Sequence, residues 1–174
     1  IRFIDQHRNG RFFLDLSYGA PHWPFQSPTT PSVASRADNS MMQQPSDDHA
    51  PTRADYVAIM EDFDHEIGKV LDALRERGLE RNTLVIFTSD NGGEWLSRMD
   101  PLVNRKDTVW EGGLRVPAIV RWPGVVPADR VTPQVGITMD LTSSILAATG
   151  AAVPADARLD GMDLLPVLEG RAPE

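Results

Sequence analysis

The chain has 174 residues, enough to bury a core without disulfides or a metal to hold it together. Its 25 acidic and 17 basic side chains give a formal net charge of −8 at pH 7, which disfavours nucleic acid as a partner because the surface repels phosphate backbones. The chain has no cysteine, which excludes disulfides, a thiolate nucleophile and thiolate metal ligands. No run approaches the about 20 apolar residues of a membrane span, so none is predicted.

The first 24 residues predict a helix, a strand and a loop. The opening IRFIDQH places Ile1 and Ile4 on one side, which is typical of the tail of an amphipathic helix. This favours a chain that begins inside something larger over one that begins after a cleaved leader. Residues 11–18 form an aromatic-rich run that predicts a buried strand, and the prolines within 19–24 end it. His22 is therefore expected on a loop at the carboxyl end of that strand.

A long polar loop and a long helix are predicted next. Residues 26–51 lack apolar periodicity and predict a surface loop of the kind that forms a substrate rim. A stripe at helical spacing then follows: Tyr56, Ile59, Met60, Phe63, Ile67, Val70, Leu71 and Leu74. Thr52 and Asp55 resemble a capping box, and Gly78 is placed to end the helix. Four acidic side chains mostly project away from the stripe, so a solvated face is favoured over a metal cluster. They are Glu61, Asp62, Asp64 and Glu66.

The second half of the chain predicts two more strands and another helix. Residues 82–88 and 115–122 are continuous apolar runs, as expected of strands buried on both faces of a parallel sheet. A helix is predicted over 139–148, with Gly150 beyond it. The order strand, helix, strand, strand, helix predicts an α/β fold over 1–150, and residues 151–174 are expected to form a peripheral extension.

Three short polar stretches could carry chemistry. Asp90 and Asn91 directly follow a predicted strand, and their oxygens are hard ligands suited to Ca²⁺ or Mg²⁺. Taken alone, however, the tetrapeptide DNGG favours an ordinary turn over a metal site. His22 could donate a hydrogen bond or a proton, and Lys106 could bind an anion as a point charge. Taken singly, each is better explained as an ordinary loop histidine or a solvent lysine.

Four stretches in this order resemble the catalytic domain of the sulfatases, within the alkaline-phosphatase-like superfamily. They are FFLDLSYGAPHWP at 12–24, DHEIGKVLDAL at 64–74, NTLVIFTSDNGG at 82–93, and KDTVWEGGLRVP at 106–117 with RWPG at 121–124. The stretch at 159–168 resembles the segment that follows this core. The resemblance covers most of the chain outside the polar loop. It implies part of a layered α/β fold with a mainly parallel central sheet flanked by helices.

The resemblance also implies roles for particular residues. In that family the Asp-Asn pair ligates the divalent cation, usually calcium, which implies that role for Asp90 and Asn91. His22 and Lys106 match the residues that contact sulfate oxygens, one of them assisting the leaving alcohol. The segment 111–113, Glu-Gly-Gly, is expected to be a backbone turn that aims this loop. Asn91 follows the arylsulfatase-like pattern, which favours sulfate esters, small-molecule or carbohydrate, as substrates.

The chain also departs from the family pattern. Sulfatases use formylglycine, made from a Cys or Ser in a motif near the start of the domain, and residues 32–36 match only its loosest version in the wrong chain order. The implied function is therefore that of a fragment of a sulfuric ester hydrolase, inactive in isolation. The alternative is a non-catalytic relative that keeps the fold and a partial ion-binding surface. Self-association of the chain and a periplasmic or secreted parent are further expectations.

Overall fold

The computed structural model describes residues 1–22, 25 and 51–173, which fall into two compact units. The first unit comprises Ile1–Arg77 and Ser89–Pro117, and the second comprises Gly78–Thr88 and Ala118–Glu174. The polar loop expected at 26–51 lies outside the described residues except for Pro51, as does the loose motif at 32–36. Within the described ranges no helix is long and apolar enough to cross a membrane.

The first unit opens with helix α1, Arg2–His7. Ile4 is its buried residue, with 1% of its surface exposed, which confirms the predicted amphipathic start. Ile1 does not share that environment, because it precedes the helix and remains 54% exposed. An ion pair from Arg77 Nε to Asp5 Oδ1, at 2.5 Å, connects α1 to the residue that ends the next helix.

Helix α2, Arg53–Glu76, confirms the predicted long helix and both of its end signals. At its start the Asp55 amide donates to Thr52 Oγ1 at 3.3 Å, and the Thr52 amide donates to Asp55 Oδ2 at 2.7 Å. These two bonds form the capping box and satisfy amides that the helix itself leaves without partners. At its end Gly78 has a φ of +68°, the left-handed conformation that glycine adopts at low cost.

The acidic side chains of α2 agree with a solvated face. Glu61, Asp64 and Glu66 are exposed and Asp62 is half-buried. Among the residues that the structure describes, no group of three or more His, Cys, Asp or Glu side chains is arranged to hold a metal ion.

A small apolar cluster forms where α2 begins. Phe25, Tyr56 and Ile59 are its buried members, with Ala20, Trp95 and Leu96 packed against them. The Phe25 ring lies edge-on to Tyr56, with centroids 5.7 Å apart, and edge-on to Trp95 at 5.9 Å. The cluster brings Ala20 and Phe25 together with residues 56–59 and 95–96.

The strand predicted at 11–18 is wrong for the described chain. This segment carries no strand, and Phe13 is 70% exposed and Leu16 46%. A strand needs a hydrogen-bonded neighbour, and no described strand pairs with these residues. Side-chain packing fixes part of the segment instead, since the Tyr18 ring lies 4.9 Å from that of Phe63 in α2.

The second unit contains a 3₁₀ turn, Glu80–Asn82, and the strands β1, Val85–Thr88, and β2, Ala118–Arg121. The two strands pair antiparallel, with Val85 opposite Arg121 and Thr88 opposite Ala118. The expected burial on both faces is wrong for this pair, because β1 is half-buried and Ile119 in β2 is 60% exposed. An apolar run specifies a strand but not the direction of its neighbour. The described residues contain no parallel pair, so the mainly parallel sheet stays a prediction.

Helix α4, Thr138–Thr149, confirms the helix predicted at 139–148, and Gly150 ends it with a φ of +64°. Its buried face is polar, and it binds the backbone of residues 161–164. Asp140 Oδ1 accepts from the Met162 amide at 2.8 Å, and Ser144 Oγ accepts from the Leu164 amide at 2.9 Å. These bonds lead into a short helix, α5, Leu165–Leu168.

Candidate active site

His22 lies on a short turn in the first unit. Its backbone amide donates to the carbonyl of Gly19 at 2.9 Å, which closes the turn. Two residues before it, Ala20 packs against the Phe25–Tyr56–Ile59 cluster, while the His22 side chain remains 52% exposed. The turn therefore packs against the apolar cluster through Ala20, and the imidazole of His22 is accessible to solvent.

The segment with Asp90 and Asn91 is a turn whose glycines have no room for a side chain. A Cβ on Gly92 would lie closer than 3.0 Å to the carbonyl of Gly112, so the two backbones pass in direct contact. The Gly92 amide donates to the Gly113 carbonyl at 2.9 Å. The side chain of Asp90 is exposed and Asn91 is half-buried, which leaves their oxygens accessible to a ligand.

The loop that carries Lys106 folds back onto this turn. The Lys106 amide donates to the Gly93 carbonyl at 3.0 Å, so the lysine backbone is fixed against the residue that follows the Asp-Asn-Gly sequence. On either side Asn104 and Asp107 have positive φ angles of 63° and 68°, which makes the bend tight. These approaches are non-local, and they bring Lys106 beside the 90–93 turn.

The Glu-Gly-Gly segment confirms its expected backbone role. It forms the single-turn helix α3, Glu111–Leu114, with both glycines buried. A Cβ on Gly112 or Gly113 would lie closer than 3.0 Å to backbone carbonyls of the loop 104–108. The Glu111 carboxylate points to solvent, 65% exposed, and pairs with Arg115 at 3.3 Å.

His22 and Lys106 meet at a residue that the sequence analysis missed, Glu94. Lys106 Nζ lies 3.0 Å from Glu94 Oε1, and His22 Nε2 lies 3.4 Å from the same oxygen. The side chains of Glu94 and Lys106 are only 13% and 17% exposed. The structure thus brings both sulfate-contact candidates to one oxygen atom. The sequence offers one signal, the position of Glu94 directly after Gly93; the convergence of two basic groups, which requires a counter-charge, is visible only in the fold.

The charge of Glu94 also affects Tyr56, a member of the apolar cluster. Burial raises the pKa of the Tyr56 hydroxyl; the cation of Arg53 opposes that shift, and the carboxylate of Glu94 adds to it. The Arg53 guanidinium stacks over the Tyr56 ring, 5.2 Å from its centroid, and donates to the Leu96 carbonyl. Arg53 therefore connects the start of α2 to the segment that carries Glu94.

Asp90 and Asn91 fit part of a cation site by the chemistry of their donors. A carboxylate and an amide oxygen are hard ligands of the type that Ca²⁺ and Mg²⁺ prefer. Calcium takes about six to eight oxygens, so this pair supplies a minority of the coordination sphere. The hydrogen bond from Ser89 Oγ to the Asn91 carbonyl, at 2.9 Å, uses the backbone of Asn91 and leaves its side-chain oxygen for such a role.

Comparisons with known proteins identify the family of the chain. The sulfatase family profile matches residues 1–151. The chain is 37% identical to N-acetylgalactosamine-6-sulfatase of Canis lupus familiaris over 155 residues, 86% of this chain and 28% of that protein. It is 32% identical to arylsulfatase D of Homo sapiens over 98% of this chain and 28% of that protein. Among solved structures, Ps i-CgsB in complex with k-i-k-neocarrahexaose matches 95% of this chain and 36% of its own, with a TM-score of 0.78 and 32% identity.

The family profile covers well over half of the chain, and the relative from Canis lupus familiaris is 37% identical over 86% of it. The chain belongs to the sulfatase family. It spans 28% of the length of both of these curated relatives.

Proposed function

We propose that the protein is a sulfuric ester hydrolase and that this chain supplies its sulfate-recognition groups and part of its cation site. Family membership supports the reaction class. The observation that carries the proposal is the convergence of His22 Nε2 and Lys106 Nζ on one carboxylate oxygen, at 3.4 and 3.0 Å. Two basic groups that share one oxyanion here are placed to share the oxygens of a sulfate group.

In this proposal His22 and Lys106 have different tasks. Lys106 is a compact, nearly buried point charge that stabilises negative charge on the non-bridging oxygens of sulfate. His22 is more accessible and donates its proton to the oxygen of the leaving alcohol as the ester S–O bond breaks. Both stabilise charge that grows in the transition state, so their removal lowers turnover.

The cation and the nucleophile complete the proposed reaction. Asp90 and Asn91 would hold Ca²⁺, with Mg²⁺ as the alternative, together with oxygens from other segments. Such an ion would act as a Lewis acid on the sulfate oxygens. The nucleophile would be a formylglycine from a segment outside this chain. On its own, this chain binds and orients a sulfate group without attacking it.

A sulfated carbohydrate is the substrate class that we propose. One relative is named for N-acetylgalactosamine-6-sulfate, and one matching structure holds a neocarrahexaose. Residues 26–51, expected as a substrate rim, would select the sugar. A periplasmic or secreted location is also part of the proposal, and it rests on the family resemblance alone.

The test is sulfate-ester turnover by the intact protein that carries this chain, with Lys106→Ala and His22→Ala. Each variant should lower kcat/KM by roughly a hundredfold or more, because a preorganised charge is lost. Lys69→Ala is the matched control, since Lys69 forms an exposed pair with Glu66 on α2. Unchanged turnover in both site variants would show that the reaction does not use this pair.

Cation dependence is tested separately on the same protein. Chelation of Ca²⁺ should abolish turnover and re-addition should restore it, and Asp90→Asn should raise the calcium concentration needed for restoration. Direct calcium binding, measured by isothermal titration, provides a readout that is independent of activity. Equal calcium affinity in Asp90→Asn would remove this residue from the proposed site.

A further inference from the structure

Glu94 occupies the position that the proposed function gives to sulfate. A single oxygen, Oε1, contacts both Lys106 Nζ and His22 Nε2. This carboxylate is not a solvated surface charge, because only 13% of the side chain is exposed. Glu94 therefore contacts both Lys106 and His22, and its negative charge matches that of sulfate.

An internal anion offsets the cost of removing Lys106 from water. Lys106 is only 17% exposed, and an ammonium group removed from water without a counter-charge is strongly destabilising. Glu94 supplies that counter-charge. A bound sulfate would supply negative charge with more oxygens, so the two anions compete for the same two side chains, Lys106 and His22.

The backbone of Glu94 is fixed while its side chain carries the contact. The Glu94 carbonyl accepts from the Ser97 amide at 2.9 Å and also from the Ser97 hydroxyl. Rotation about the side-chain torsions therefore moves the carboxylate away from Lys106 without moving the chain.

We infer that Glu94 is a built-in competitor that holds the Lys106–His22 pair until a sulfate group displaces it, and thereby sets the affinity of the site for anions. The inference rests on the proposed function. Its chemical consequence is selectivity: a weak anion such as chloride does not compensate for the displaced carboxylate, whereas a sulfate that also gains the proposed cation does. Glu94 is thus a specificity-determining residue and not a group that reacts.

The experiment measures the affinity of inorganic sulfate by isothermal titration on the intact protein, at constant ionic strength maintained with sodium chloride. Glu94→Gln keeps the shape and an acceptor oxygen but removes the charge. We expect sulfate to bind roughly tenfold more tightly, because a like charge a few ångströms from the ligand has been removed. Glu94→Asp, which keeps the charge but withdraws it from Lys106, should give an intermediate affinity. Glu66→Gln is the control, since Glu66 lies in an exposed lysine pair.

A gain of affinity separates this role from a structural one, because a variant that merely damages the site would bind sulfate less well. In turnover, Glu94→Gln should lower KM and strengthen product inhibition by sulfate without raising kcat. Weaker or unchanged sulfate binding in Glu94→Gln, with a loss of binding in Lys106→Ala, would overturn the inference and leave the proposed function intact. Unchanged binding in Lys106→Ala would instead overturn the proposed function itself, and the inference with it.

Discussion

Helix α2 and the loop Ser89–Pro117 belong to the same unit but are stabilised in different ways. The ends of α2 are set by neighbours in sequence, with Thr52 and Asp55 at its start and Gly78 at its end. The loop is set by backbone groups that are distant in sequence, such as the Gly92 amide and the Gly113 carbonyl. Each substitution in the helix should therefore change stability only slightly, whereas substitution at some loop positions should be strongly destabilising.

The largest effect is expected from Gly92→Ala. The added Cβ would overlap the Gly112 carbonyl, and backbone on both sides leaves little freedom to relax. We expect the free energy of unfolding to fall by about 3 kcal/mol, and sulfate binding to weaken with it. Urea denaturation measures the first effect and isothermal titration the second. A fully stable Gly92→Ala protein would mean that the loop is far more adaptable than its close approaches imply.

Thr52→Ala tests the helix by removing half of its capping box. The Asp55 amide loses its acceptor at the first turn, and the loss should be about 1 kcal/mol in the free energy of unfolding. Thr52→Ser, which keeps the hydroxyl, is the matched control and should stay within a few tenths of the parent value. A loss of 3 kcal/mol or more would place this cap in the same class as the loop glycines.

Gly68→Ala is the same chemical change as Gly92→Ala, placed within α2. A Cβ at this position meets no atom within 4 Å. Because alanine favours the helix, we expect a gain of about 0.5–1 kcal/mol, again by urea denaturation. A loss of stability in Gly92→Ala and a gain in Gly68→Ala would confirm the contrast between helix and loop. A destabilised Gly68→Ala protein would contradict it.

The smallest effect is expected from pH. Hydrogen bonds from the side chain and the backbone of Thr52 lower the pKa of Asp55. This contribution to stability is complete above the ordinary aspartate pKa and is lost as the pH falls through the lowered value. Asp55→Asn should remove a few tenths of a kcal/mol of this acid sensitivity, since the group is near the surface. Parallel stability–pH curves for the parent and Asp55→Asn would show that the capping carboxylate carries none of it.

The features that sequence predicted well are those with local causes. Helices α2 and α4 were predicted with their glycine ends, because capping residues and apolar periodicity act within a few turns. Residues 11–18 show where this approach fails. Their composition favours a strand, but strand formation depends on a neighbour that lies elsewhere in sequence.

The candidate active site shows the same division between local and long-range causes. His22, Lys106, Asp90 and Asn91 were selected from motif order, and their roles stay predictions. The structure adds that two of them meet at Glu94. Glu94 stands outside the selected motifs, and its importance comes only from a fold that brings residues 22, 94 and 106 together. A distance of this kind is set by long-range packing, which no local pattern in a single sequence reveals.

The Lys106 amide donates a hydrogen bond to the Gly93 carbonyl, which joins the stretch proposed to bind the anion to the end of the turn proposed to bind the cation. Binding studies of the two ions should consequently be designed as a pair, with each titrated at several fixed concentrations of the other. A backbone shift at either proposed site would strain this hydrogen bond.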